Sequence, residues 1–103
     1  MVNDSFKDYI LDQLADLGGI ECKRLFSGFG LYYQGRFFGI INNGSLFFKT
    51  SDKTKQPFLA YGARPFAPSA GQVLKNYLEV PAEIVENKDE LAKWAKTAAG
   101  WLS

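Results

Sequence analysis

A chain of 103 residues and 11.5 kDa has room for one domain with a single core, burying roughly two-thirds of its unfolded surface. Hydrophobic residues at 47% and charged residues at 22% exclude a disordered chain, and a net charge of +1 withholds the basic footprint that grips nucleic-acid phosphates. The absence of histidine and the single cysteine, Cys22, exclude Ser/His and Cys/His nucleophile systems, the usual zinc sites and an internal disulfide.

The N-terminus, Met1-Val2-Asn3-Asp4-Ser5, is acidic and polar where a signal peptide is basic and then apolar. No apolar run approaches the roughly 20 residues of a membrane helix. The expectation is a cytoplasmic protein, with Cys22 acting as a small buried hydrophobe in a reducing compartment.

Phe6, Ile10, Leu14 and Leu17 fall at helical spacing and predict a helix over residues 4–17, capped by Asp4 or Ser5 and stopped by Gly18-Gly19. Residues 20–26 read as a first strand ending in a turn at Ser27-Gly28. Three aromatic and β-branched runs follow, Leu31–Tyr33, Phe37–Ile41 and Leu46–Phe48, divided by Gln34-Gly35 and Asn43-Gly44. Such pairs are strong hairpin signals, so the stretch from Leu25 to Thr50 reads as an antiparallel meander.

Counting outward from two-residue loops sets Tyr33 opposite Arg36, Tyr32 opposite Phe37, Leu31 opposite Phe38, Ile40 opposite Phe47 and Phe38 opposite Lys49. One face then holds Tyr32, Phe37, Ile41, Leu46 and Phe48, with Gly30 and Gly39 leaving room for the first helix. The other holds Leu31, Tyr33, Arg36, Phe38, Ile40, Phe47 and Lys49, apolar in its middle with two cations. Either the chain covers this second face itself, or it is an exposed contact surface.

After Thr50, Ser51 or Asp52 starts a short helix that becomes regular near residue 55 or 56, carries Pro57 in its first turn and closes at Gly62. Residues 64–71 are turn-rich, with one extended step near Phe66. Residues 72–80 read as the last strand, with Val73, Tyr77 and Leu78 inward. Pro81 opens a short helix that packs Ile84 and Val85, and Asp89 caps a longer one with Leu91, Trp94, Ala95, Ala98 and Leu102 on one side.

The carboxylates, including Asp8, Asp12, Asp16, Glu79, Glu83, Glu86 and Glu90, lie at helix-surface spacing and read as solvated faces rather than acid/base pairs. Gly28-Phe29-Gly30 lacks the third glycine, the Gly-Lys-Ser/Thr sequel and the helix of a phosphate loop. An RNA-recognition motif fails too, because Ser27, Leu31 and Gln34 stand where a cation and two aromatics belong.

The run Phe26-Ser27-Gly28-Phe29-Gly30-Leu31-Tyr32 resembles the "MFGGYGLY" opening of the TfoX/Sxy N-terminal domain family. At similar spacing come Gly35-Arg36-Phe37-Phe38-Gly39-Ile40-Ile41, Gly44–Lys49, Pro65-Phe66 and Tyr77–Pro81, so the resemblance spans about residues 18 to 102. It implies an α+β fold: a two-layer α/β sandwich with an antiparallel meander sheet, an N-terminal helix and two C-terminal helices. It also implies kinship with competence regulators, which co-activate transcription with the cyclic-AMP receptor protein. It supplies no catalytic residues.

The expectation is therefore a stand-alone domain over residues 1–103, without enzymatic activity or cofactor, that docks a protein partner or a second copy of itself. Tyr33, Phe38, Ile40 and Phe47 form the docking face, and Arg36 and Lys49 steer an acidic partner. The competing reading is an enzyme or small-ligand protein with a pocket between the Gly62–Gly71 loop and the sheet. Direct DNA binding ranks third, and membrane association is not expected.

Overall fold

The computed structural model describes residues 5–25, 27–69 and 71–100. Helix α1 (Ser5–Gln13) runs into a 3-10 turn (Ala15–Leu17) and then strand β1 (Ile20–Leu25). The meander follows as β2 (Gly28–Tyr33), β3 (Arg36–Asn42) and β4 (Ser45–Lys49). Short helix α2 (Gln56–Ala60) leads to the hairpin β5 (Pro65–Ser69) and β6 (Gln72–Glu79), and α3 (Ala82–Val85) and α4 (Lys88–Ala98) close the chain. The six strands form one antiparallel sheet in the order β1-β2-β3-β4-β6-β5, the α+β architecture expected. Among the described residues no helix is long and apolar enough to cross a membrane.

Both meander turns form where the glycine pairs stand. Gln34 and Gly35 have φ of 50° and 82°, and Asn43 and Gly44 have 53° and 77°, the paired left-handed values of a turn whose twist matches its strands. The second hairpin has the counted register, with Ile41 opposite Leu46, Ile40 opposite Phe47 and Gly39 opposite Phe48.

The first hairpin departs from the count. Tyr33 faces Arg36 and Tyr32 faces Phe37, but Leu31 faces Gly39 and Gly30 faces Ile40, leaving Phe38 as the extra residue of a β-bulge. Alternation slips by one at that point. Phe38 turns under the helices with Leu31 and Tyr33, while Tyr32 and Phe37 leave the expected core face for the other side. Gly30 accordingly lies against Phe37 rather than a helix: a β-carbon there would stand 2.9 Å from the Phe37 Cε1.

All four helices join one core on one face of the sheet. Ile10, Leu14, Phe58, Ile84, Val85, Leu91 and Ala95 pack with Leu31, Tyr33, Phe38, Ile41, Leu46, Phe48, Leu78 and Val80. Phe38 is fully buried, its ring edge-on to Phe48 at 5.4 Å.

The opposite face has a smaller core of its own: Ile40, Phe47 and Phe66 are buried, flanked by Leu25, Phe37, Leu74 and Tyr77. The β5–β6 hairpin covers it. Pairing moves from Pro65 opposite Leu78 to Phe66 opposite Leu74, so β6 spends several residues against one step of β5 and the ribbon bends. That bend lays the Phe66 ring 4.9 Å from Phe47 and Tyr77 5.8 Å from Phe37. Val73, expected inward, is half exposed, and Leu74 and Tyr77 take the inward places.

The remaining ends follow local chemistry. Ser51 and Thr54 cap each other, Thr54 Oγ1 accepting from Ser51 N at 2.8 Å and Ser51 Oγ from Thr54 N at 3.3 Å, one turn before α2 begins. Asn87, not Asp89, caps α4: its Oδ1 accepts from Glu90 N at 3.1 Å. Asp89 sits in the first turn, where its charge suits the helix dipole. Asp4 and Leu102, named above as cap and packing residue, lie outside the described residues.

Candidate functional site

The six residues expected to form one docking face are split three ways. Tyr33 (7% exposed) and Phe38 (0%) belong to the helix-side core, and Ile40 (1%) and Phe47 (8%) to the small core under the β5–β6 hairpin. Only Arg36 and Lys49 face solvent. The expected face fails because the bulge at Phe38 reverses which side its neighbours address, and because the bent hairpin seals the rest.

Arg36 and Lys49 nonetheless line one recess. Arg36 starts β3, and its Nη1 donates to the carbonyls of Ala99 at 3.4 Å and Gly100 at 3.3 Å. Those carbonyls end α4, where backbone acceptors lack helical partners and the dipole favours a cation. Lys49 ends β4, and Thr50 beside it is fastened by its own N–H and hydroxyl, which both donate to the Asn76 carbonyl, at 2.7 and 2.8 Å.

Between these points lies a recess of about 530 Å³ lined by Arg36, Lys49, Lys53, Ser51, Thr54 and Thr97 among others. A second cavity of about 420 Å³ shares Lys49, Thr54, Thr97 and Ala98 with it and continues to Pro57, Phe58, Lys93 and Trp94. Together they make one groove between α4 and the 49–58 segment. Among the described residues, four cations (Arg36, Lys49, Lys53 and Lys93) and no carboxylate line it, and Lys93 is ion-paired with Glu90 at 3.2 Å.

The far end is aromatic. Trp94 stands edge-on to Phe58 at 4.8 Å and to Tyr61 at 6.2 Å, and Tyr61 is 48% exposed. The groove thus combines positive charge with an indole surface, which suits an anionic chain carrying an apolar group.

Sequence reasoning found Arg36 and Lys49 but not Lys53, Lys93, Thr97 or the role of Trp94. The available signal was Lys93 and Thr97 one turn apart on α4, beside the stripe that holds Trp94 and Ala98.

The pocket of the competing reading corresponds to a recess of about 290 Å³ lined by Tyr61, Gly62, Arg64, Glu79 and their neighbours. Its two charged groups face each other, Arg64 Nη2 lying 3.1 Å from Glu79 Oε1. Among the described residues no group of three or more Asp, Glu, Cys or His side chains is placed to hold a metal ion. The Tyr77 hydroxyl is raised above the usual tyrosine value because burial disfavours the phenolate.

Comparison with curated proteins finds no match to the chain. The family model for the TfoX N-terminal domain matches residues 12–100, which reach from the end of α1 past α4 and include every strand and the whole groove. On that match, in the order of elements just described, the chain belongs to the TfoX N-terminal domain family.

Proposed function

We propose that this domain is a non-catalytic regulatory module of the cytoplasm that docks a protein partner through the groove between α4 and the 49–58 segment. The observation that carries this reading is the gathering of Arg36, Lys49 and Lys53, with the Glu90-paired Lys93, along a groove that no carboxylate lines among the described residues, in a chain whose net charge is only +1. Charge set apart in this way steers an acidic partner segment toward one surface. Trp94 then supplies the kind of partly desolvated aromatic contact that dominates interface energies.

The partner is a protein segment with clustered Asp or Glu and one aromatic or large aliphatic side chain. Membership of the family makes the cyclic-AMP receptor protein the first candidate. The test is calorimetric titration of the purified domain with that protein, repeated with the double variant Lys49→Glu, Lys53→Glu. Both side chains are exposed, so the variant keeps its fold. Binding that weakens at least about tenfold in the variant, and weakens with added salt, supports the reading. Absence of binding, or equal affinity for the variant, refutes it.

A further inference from the structure

The charge along the groove is uneven. Lys93 is ion-paired with Glu90 at 3.2 Å, and the Arg36 guanidinium answers the partial negative charge at the carbonyl end of α4. Lys49 and Lys53 are exposed and, among the described residues, neither is ion-paired. Uncompensated charge therefore gathers where these two lysines line the larger cavity.

The other end is a place for a flat ring. Pro57, Phe58 and the half-buried Trp94 line only the smaller cavity, and Lys49 joins it to the larger one. At about 420 and 530 Å³ the two cavities fall in the range of small-molecule sites, roughly 300–1,000 Å³. Among the described residues the smaller cavity is lined by no Asp, Glu, Asn or Gln, so no side-chain carboxylate or amide is there to read the edge of a base.

We infer that the groove binds a nucleoside diphosphate, with its phosphates at Lys49 and Lys53 and its base against the Trp94 indole. Two unpaired lysines at one end suit a compact, multiply charged group, and an aromatic wall at the other suits a ring joined to it. Neither end is enough alone. Exposed lysines hold an anion weakly and are screened by salt, whereas stacking on an aromatic side chain strengthens binding by roughly tenfold to a hundredfold whatever the base. The inference deepens the docking reading and rests on it for its consequence: the nucleotide occupies the cations that an acidic partner segment needs, so the two compete and the nucleotide regulates docking.

The test is calorimetric titration of the purified domain, at low salt and up to millimolar ligand, with ADP, GDP, adenosine and inorganic pyrophosphate. It is repeated with ADP on the double variant Lys49→Glu, Lys53→Glu and on Trp94→Leu, the far-UV spectrum of each variant confirming its fold. ADP and GDP are expected to bind at least about tenfold tighter than pyrophosphate or adenosine, and each variant to weaken ADP by about tenfold or more. The comparison of ADP with pyrophosphate uses the wild type alone, so the part played by the ring stays testable if Trp94→Leu does not fold. No binding of either nucleotide, nucleotides held no tighter than pyrophosphate, or equal affinity for ADP in the lysine variant would each overturn the inference. A domain that binds ADP but not the cyclic-AMP receptor protein keeps the nucleotide site and refutes the docking reading, and one that binds that protein but not ADP does the reverse.

Discussion

Replacing Phe47 with alanine decides whether the face opposite the helices is core or free surface. Phe47 is 8% exposed, and its ring packs 4.9 Å from Phe66 in a small cluster whose other buried member, among the described residues, is Ile40. Burial of this degree puts the substitution among core phenylalanine truncations, about 3–5 kcal/mol, and the small cluster near the surface favours the lower end, about 3 kcal/mol. In a domain of this size each kcal/mol moves the thermal midpoint by about 4–8 °C, so Phe47→Ala lowers it by roughly 12–24 °C. Phe38→Ala, in the larger core and fully buried, falls toward the upper end. Urea unfolding followed by far-UV circular dichroism gives both values, provided the slope with denaturant is unchanged. A loss under about 1 kcal/mol at Phe47, with several at Phe38, would mean that the β5–β6 hairpin does not seal that face in solution, and the account of the second core would fall.

Two further outcomes are expected. A β-carbon at Gly28 would lie 1.9 Å from the Ile41 carbonyl oxygen, so Gly28→Ala should prise β2 from β3 and lower the urea midpoint far more than Gly44→Ala, where no atom lies within 4 Å and the cost of about 1 kcal/mol comes from φ alone; equal losses would contradict the close approach. Because the phenol of Tyr77 is raised by burial, its contribution to stability is complete below the unfolded value near 10 and is lost as pH rises through the higher folded value. Tyr77→Phe should therefore flatten the alkaline fall of stability above about pH 10, and an unchanged slope in urea titrations would remove the burial argument.

Much of the fold was legible because its signals are local. Gln34-Gly35 and Asn43-Gly44 mark their turns by composition, and the spacing of Phe6, Ile10 and Leu14 or of Leu91 and Ala95 marks a helix. The bulge at Phe38 left no such mark. Phe37-Phe38 and Ile40-Ile41 are apolar pairs that satisfy either phase, so only the competition between two cores decides which member faces which. The cover over Ile40 and Phe47 was hidden for a similar reason. Phe66 lies in a proline-bearing stretch that reads as irregular, and its contact with Phe47 is long-range. At the groove, Arg36 and Lys49 were visible as cations flanking the meander, whereas Lys53, Lys93 and Trp94 reach them only through the docking of α4.

The supernumerary residue in β3 has a wider effect than one misplaced side chain. A strand with strict two-residue alternation serves each side in turn, but here Phe37 and Ile40 go to one interior and Phe38 and Ile41 to the other, each at an interval of three. The two interiors are thereby geared together through a single strand. Any change that reset its phase would unseat side chains above and below at once, so variation in either layer is constrained by the other.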